Sequence, residues 1–233
     1  MEKKLHDKEL GAIILRTNHR AVRYSLKISK GIIVATMPVE GSEKILLDMI
    51  RKNRDKLLEA LRETSSNRLV LNDATRMQTH TFTLHIFRTE RANFYMRLDK
   101  GILHIACPQQ TNFDNEQVQQ HLAGILEKAL RHEARRVLPV RLEELSRQYG
   151  FSYAGVRIAN TRSRWGSCSS SRNINLSLSL MLLPGRLIDY VLLHELCHTV
   201  EMNHGERFWE LMNRVTGNQA FVLRKELKNY RML

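Results

Sequence analysis

At 233 residues, with 42% hydrophobic and 26% charged side chains, the chain has ordinary globular composition and the length for one large domain or a catalytic domain with a small companion. No apolar run approaches the ~18 residues of a membrane span, and Met1-Glu2-Lys3-Lys4 leads into no apolar leader core, which predicts a cytoplasmic protein with no membrane partner. The formal charge of +13 and a pI near 10.0 admit nucleic acid as a partner, but no aromatic residues interleave with basic runs such as Lys52 to Lys56 and Arg131 to Arg141, and Arg162 to Arg172 holds the single Trp165, so a solvated basic surface is the simpler expectation.

In chain order, Val22, Tyr24, Leu26 and Ile28 alternate with polar residues as a half-buried strand does. Ser29-Lys30-Gly31 makes a turn, and Ile32 to Met37 returns as a second strand ending at Pro38. Ser42 then opens a helix whose apolar stripe is Ile45, Leu46, Met49, Ile50, Leu57 and Leu61, and the polar Glu63 to Asn67 reads as a linker. A similar plan follows. Phe82, Leu84 and Ile86 alternate, Phe94 to Leu98 is a strand, Asp99-Lys100-Gly101 turns, Ile102 to Ala106 returns, and a long helical pattern runs from Val118. The order strand, turn, strand, proline, helix thus occurs twice, as either a duplication or a common unit used twice.

Pro139 should kink or divide the long helix, and Gly150 should end it. Val156 to Ile158 is a short strand candidate. Ile174, Leu176, Leu178 and Leu180 alternate with Asn175, Ser177 and Ser179 as the clearest strand of the chain, which leads into an apolar helix after Pro184. Phe208 to Val215 and Phe221 to Tyr230 give two shorter helices. The expected fold class is α+β: a small N-terminal strand-turn-strand-helix unit over residues 1–66, then a larger domain over residues 67–233 in which a mixed or antiparallel sheet packs on the apolar helix and a backing helix.

The helix after Pro184 carries His194-Glu195-Leu196-Cys197-His198, with His204 six residues on. Histidines four apart share one helical face, so both ring nitrogens can reach one metal ion, and the glutamate between them lies where a bound water would sit. The helix is apolar nearly all round and therefore buried, and buried histidines and glutamate are costly unless something pairs with them. Asn203-His204-Gly205 is helix-ending chemistry that lets the chain bring His204 back as the favoured third ligand. Glu201, Glu206 and Glu210 stand as alternatives, Glu201 more plausibly buttressing a ligand than binding metal. Cys107, Cys168 and Cys197 are odd in number and lack metal or redox spacing, so they read as free thiols in a reducing compartment.

Ser163-Arg164-Trp165-Gly166-Ser167-Cys168, Asn173-Ile174-Asn175-Leu176, Asp189-Tyr190-Val191, His194-Glu195-Leu196, His198, Met202-Asn203-His204 and Phe208-Trp209 together resemble the YgjP-like metallopeptidase family, a branch of the zincin superfamily. The resemblance is dense over about the last 70 residues. It implies a zincin-like catalytic domain over residues 67–233 built on an active-site helix and a backing helix, with His194, His198 and His204 as zinc ligands, Glu195 as catalytic base and a peptide or protein substrate. Cys197 departs from it, standing where a small residue such as alanine is usual. Metzincin proteases space three histidines in the same way but require glycine where this chain has Glu201.

The leading expectation is a zinc metallopeptidase. Two alternatives remain: a nucleic-acid-associated protein whose peptidase acts on DNA-bound proteins, as SprT-like zincins do, and a non-catalytic zinc-binding module. The stretch from Arg164 to Leu180 is the candidate edge for an extended substrate. Tyr190 is either an oxyanion donor or, more in keeping with its place on the helix, a packing residue.

Overall fold

The structure, a computed structural model, describes residues 2–29, 31–66, 70–161 and 163–233. Lys30 of the expected first turn, Asn67 of the expected linker and Arg162 of the basic run lie outside the described residues. The chain forms two compact units, Met1–Leu69 and Val70–Leu233.

The first unit runs β1 (Glu2–Asp7), β2 (Gly11–Thr17), β3 (Ser25–Ser29), β4 (Ile32–Met37), α1 (Glu43–Lys52) and α2 (Arg54–Ser66). The sheet order is β1-β2-β4-β3, with β2 and β4 parallel and the outer pairs antiparallel. Ile13 and Leu15 of β2 and Ile33 and Ala35 of β4 point to one side, where Leu46, Ile50 and Leu57 of the helices close a small core. The expected second strand is present as β4. The first is shorter than its pattern: Val22 lies outside β3 and is 92% exposed. Strands β1 and β2 were not expected. Nor does one helix span the apolar stripe, because the chain breaks at Asn53 and Ile45 faces solvent. Ser42 sits at the N-cap without a side-chain capping bond; its backbone N–H instead donates to the Tyr24 hydroxyl at 2.7 Å. The stretch expected as a linker continues α2 as far as Ser66.

Asp7 closes the β1–β2 turn. Its carboxylate accepts from the Glu9 and Leu10 backbone N–H groups, both at 2.9 Å, and from both terminal nitrogens of Arg54 at 2.9 and 3.1 Å. The Arg54 guanidinium first, then those backbone donors, hold the Asp7 carboxyl well below its ordinary value of 3.8. A carboxyl depressed on folding stabilises fully above its unfolded value and loses that contribution as pH falls through the folded one. We therefore expect the urea midpoint of this unit, followed by amide exchange of β2 and β4, to drop on acidification below about pH 4. In Asp7→Asn that acid limb should flatten; a limb of parental steepness would place the acid-labile contact elsewhere.

The second unit begins with β5 (Met77–Gln78), β6 (Thr83–Thr89), β7 (Tyr95–Asp99) and β8 (Ile102–Pro108). Their order is β5-β6-β8-β7, again with the inner pair parallel and the outer pairs antiparallel. The two four-stranded sheets thus share one topology. Each places a glycine in the left-handed region ahead of its inner return strand, Gly31 and Gly101, both at φ 75°. The inward residues Leu84, Ile86, Leu103 and Ile105 pack on α3 (Glu116–Tyr149) through a core that includes Leu122, Leu126 and Leu130.

Helix α3 is capped at its start by the Asn115 side chain, which accepts from Gln117 and Val118 N–H, and at its end by left-handed Gly150. Its 34 residues run on through Pro139, with no division of the helix there. Pro139 is half-exposed and Arg135, whose carbonyl loses its helix partner, is exposed, so water can satisfy the freed group.

Next come β9 (Gly155–Ala159), β10 (Gly166–Cys168) and β11 (Asn173–Ser177) in the order β10-β11-β9. The strand expected to reach Leu180 ends at Ser177. The Ser177 hydroxyl accepts from Ser179 N–H and starts a 3₁₀ turn over Leu178–Leu182. Three helices finish the chain: α4 (Gly185–Cys197), α5 (Glu206–Val215) and α6 (Ala220–Leu227). The unit is α+β, with a mixed sheet beside α4 and with α3 as its backing helix. Arg141 of α3 fixes α4 by a two-pronged ion pair with Asp189, both bonds 2.8 Å. No described helix is long and apolar enough to cross a membrane.

Candidate metal centre

Helix α4 is apolar nearly all round: Leu187, Ile188, Val191, Leu192 and Leu196 are buried on several sides of it. Against that background the full helical turn from His194 to the C-cap His198 and the bend before Gly205 bring three imidazoles together. The Nε2 atoms of His194, His198 and His204 lie 3.2, 3.1 and 3.0 Å from one another. Ligand nitrogens 2.0–2.1 Å from a tetrahedral zinc ion are about 3.3–3.4 Å apart, so the triangle nearly matches such a set. Among the described residues, these three are the His, Cys, Asp and Glu groups placed to share a metal ion. Glu201, Glu206 and Glu210 are not in that group.

Protonation agrees with a ligand set. Burial, and then the neighbouring His198 and His204, push the His194 imidazolium down to about 3. His198 is likewise lowered, chiefly by burial. His198 Nδ1 lies 3.0 Å from the Glu201 carbonyl oxygen; as donor to it, Nδ1 holds the proton and leaves Nε2 a bare acceptor facing the other two rings. The buttress expected of Glu201 is thus supplied by its backbone. His194 Nδ1 is buried with no hydrogen-bond partner among the described residues.

Beneath the rings lies Phe208, fully buried, its ring centroid 4.9, 4.6 and 4.8 Å from those of His194, His198 and His204. Trp209 stacks on His204 from the adjacent position of α5 and carries the Arg224 guanidinium on its face at 4.9 Å. The sequence placed Phe208 on an apolar helix face without showing that this face floors the histidines. Its position just after the last histidine was the available signal.

Glu195 is 4% exposed, and its Oε2 is buried without a hydrogen-bond partner among the described residues. Burial pushes its carboxyl up to about 8, against the opposing charge of Arg164. Strand β10 passes directly over it. A Cβ on Gly166 would stand 2.6 Å from Glu195 Oε1, so only glycine leaves room for the carboxylate there. Because β11 is central in its sheet, the free edge within the Arg164 to Leu180 stretch is β10 alone. Trp165 is half-buried and packs on the core, while Arg164 is exposed.

Two residues of the motif helix take structural roles. Tyr190 is buried and its phenol is raised by burial, which makes it a core residue. Cys197 is fully buried, and its thiol is pushed up to about 12. A thiol so disfavoured as thiolate is a poor metal ligand.

The model of one protein family, described as "YgjP-like, metallopeptidase domain", matches residues 22–230. No curated protein matches the chain. Among solved structures, the chain is similar to the metallopeptidase zymogen of Pyrococcus abyssi abylysin, at 21% identity and a TM-score of 0.37, covering 42% of this chain and 100% of that one. It is also similar to the metallopeptidase zymogen of Methanocaldococcus jannaschii jannalysin, at 17% identity and a TM-score of 0.36, covering 40% of this chain and 94% of that one.

Proposed function

From the premise that the chain belongs to the YgjP-like metallopeptidase family, we propose that it is a zinc-dependent peptidase in which His194, His198 and His204 hold the ion and Glu195 is the general base. The observation that carries this reading is the convergence of three imidazole nitrogens on the helix and turn that carry Glu195, a buried carboxyl whose Oε2 has no hydrogen-bond partner among the described residues. When bound, zinc supplies Lewis acidity: it polarises the scissile carbonyl and makes water acidic enough, with a pKa near ~7, to give up a proton at neutral pH.

The chain's own residues do the rest. Glu195 takes the proton of the attacking water and delivers it to the leaving amine. Its Oε2 has no competing hydrogen-bond donor among the described residues, which leaves it available for both halves of that task. Phe208 holds the imidazoles from below, and the His198 contact to the Glu201 carbonyl fixes one ring's tautomer. The β10 edge offers unpaired backbone groups along which an extended peptide can lie. The three free cysteines support a reducing, cytoplasmic setting.

Metal analysis tests the centre. Protein purified without chelator or histidine tag should carry about one zinc per chain, and His194→Ala and His204→Ala should lose it. A folded chain that takes up no metal when zinc is added back overturns the proposal. A structural zinc module is the weaker reading, because closed structural sites use four ligands, usually rich in cysteine, and would give Glu195 no task.

A further inference from the structure

Residues 87–97 interleave rings with cations as Phe87, Arg88, Arg91, Phe94, Tyr95 and Arg97, and pairing of the strands sorts them onto faces. In the second unit Phe87 and Tyr95 sit on strands either side of β8 and both register with Ala106. All three therefore share the face turned away from the core, with small Ala106 as a floor between two rings. Tyr95 is 51% exposed, and the Arg91 guanidinium lies over its ring at 5.1 Å. His85 stacks on Phe87 with centroids 5.2 Å apart. Arg97 lies on the same face, paired with Asp99 at 3.1 Å. Phe87, Arg91, Tyr95, Arg97, Asp99 and Ala106 border a groove of about 370 Å³.

The corresponding face of the first unit carries a groove of about 600 Å³, bordered by Arg16, Arg23 and Lys27 and by no carboxylate. All three cations are exposed, and Arg16 keeps only a loose ion pair with Glu2, at 3.7 Å. One topology thus presents a groove at the same place twice, cationic on the first sheet and aromatic with arginine on the second.

We propose that the outward sheet face of the second unit binds single-stranded nucleic acid, with Phe87 and Tyr95 stacking on bases and Arg91 and Arg97 meeting phosphates, and that the outward face of the first unit, taken by itself, adds phosphate contacts through Arg16, Arg23 and Lys27. Cations that follow a backbone, together with rings that accept the planar face of any base, are what a sequence-tolerant single-strand surface requires. An acidic peptide would use the cations but has no planar groups for the rings. A duplex keeps its bases stacked on one another and out of reach. The formal charge of +13 adds long-range attraction to either nucleic acid.

Fluorescence anisotropy on the full chain tests this, using labelled oligo-dT of about 20 nucleotides and a duplex of equal length at about 50 and 200 mM salt. The single strand should bind more tightly than the duplex. Phe87→Ala and Tyr95→Ala should each weaken it about tenfold, whereas Phe87→Tyr and Tyr95→Phe, which keep a ring, should not. The triple variant Arg16→Ala, Arg23→Ala, Lys27→Ala should lower the slope of log affinity against log salt by about 2. Thermal melts establish that each variant folds. Absence of binding at low salt overturns the proposal. So does equal affinity for duplex with no response to the ring-removing variants, or displacement of the oligonucleotide by poly-glutamate at equal charge. The readout needs neither metal nor hydrolysis, so its failure leaves the peptidase reading standing.

Discussion

Glu195→Gln is expected to lower peptide hydrolysis by about 10²–10⁴-fold while leaving zinc content unchanged. Glutamine keeps the shape of the buried side chain but cannot accept the proton of an attacking water at neutral pH. It should not weaken the fold, because the site already disfavours the carboxylate: burial raises the carboxyl from 4.5 to about 8. A group raised on folding stabilises fully below its unfolded value and loses that contribution as pH climbs through the folded one. In metal-free protein, stability should therefore decline between about pH 4.5 and pH 8, and Glu195→Gln should flatten that decline. Thermal melts across this range, paired with hydrolysis assays of zinc-loaded protein, separate the two effects. Unchanged hydrolysis in a zinc-loaded variant would remove Glu195 from the mechanism.

The second large effect is expected from a single methyl group. In Gly166→Ala the new Cβ would lie 2.6 Å from Glu195 Oε1, 2.7 Å from its Cγ and 2.8 Å from its Cδ, distances that must be relieved by movement. Glu195 is hemmed in by the core of α4, and β10 is a three-residue edge strand, so either the base turns or the strand lifts. Overpacking of this kind costs about 1–3 kcal/mol of stability. Misplacing the base by about an ångström costs on the order of 10²-fold in kcat. The assay that distinguishes a displaced base from general damage is a double-mutant cycle. If Gly166 acts through Glu195, adding Gly166→Ala to Glu195→Gln should cost little further rate. Fully additive losses would assign Gly166 a separate role.

The histidine cluster was legible in the sequence because its information is local. Two histidines four apart on one helix, and a turn between Asn203 and Gly205 to return the third, need no knowledge of distant strands. What the sequence hid is non-local or ambiguous. Strand β1, with Leu5 as its one aliphatic side chain, shows almost no alternation. In β2, Ala12 to Leu15 are apolar on both faces, so no period stands out. Leu178 and Leu180 continue the alternation of Ile174 and Leu176, yet Ser179 between them is buried as well; the pattern cannot register a chain that has turned into a 3₁₀ helix inside the core. Pro139 read as a break because the sequence does not reveal that it and Arg135 face solvent. The juxtaposition of Phe87 with Tyr95 exists only once β6, β8 and β7 are in register. Likewise, the space that Gly166 leaves for Glu195 follows from a contact 29 residues along the chain.

The two sheets of identical topology also bear on how the chain reaches its native state. During synthesis at about 5–20 residues per second, β1 to β4 emerge and can close before the ribosome has made β6 or β8. Dilution from denaturant offers no such order: both copies collapse at once, and β4 and β8, each an inner strand that needs one parallel and one antiparallel neighbour, can meet each other's partners as well as their own. Refolding in vitro is therefore expected to show a slow phase of strand exchange that synthesis of the same chain on the ribosome avoids.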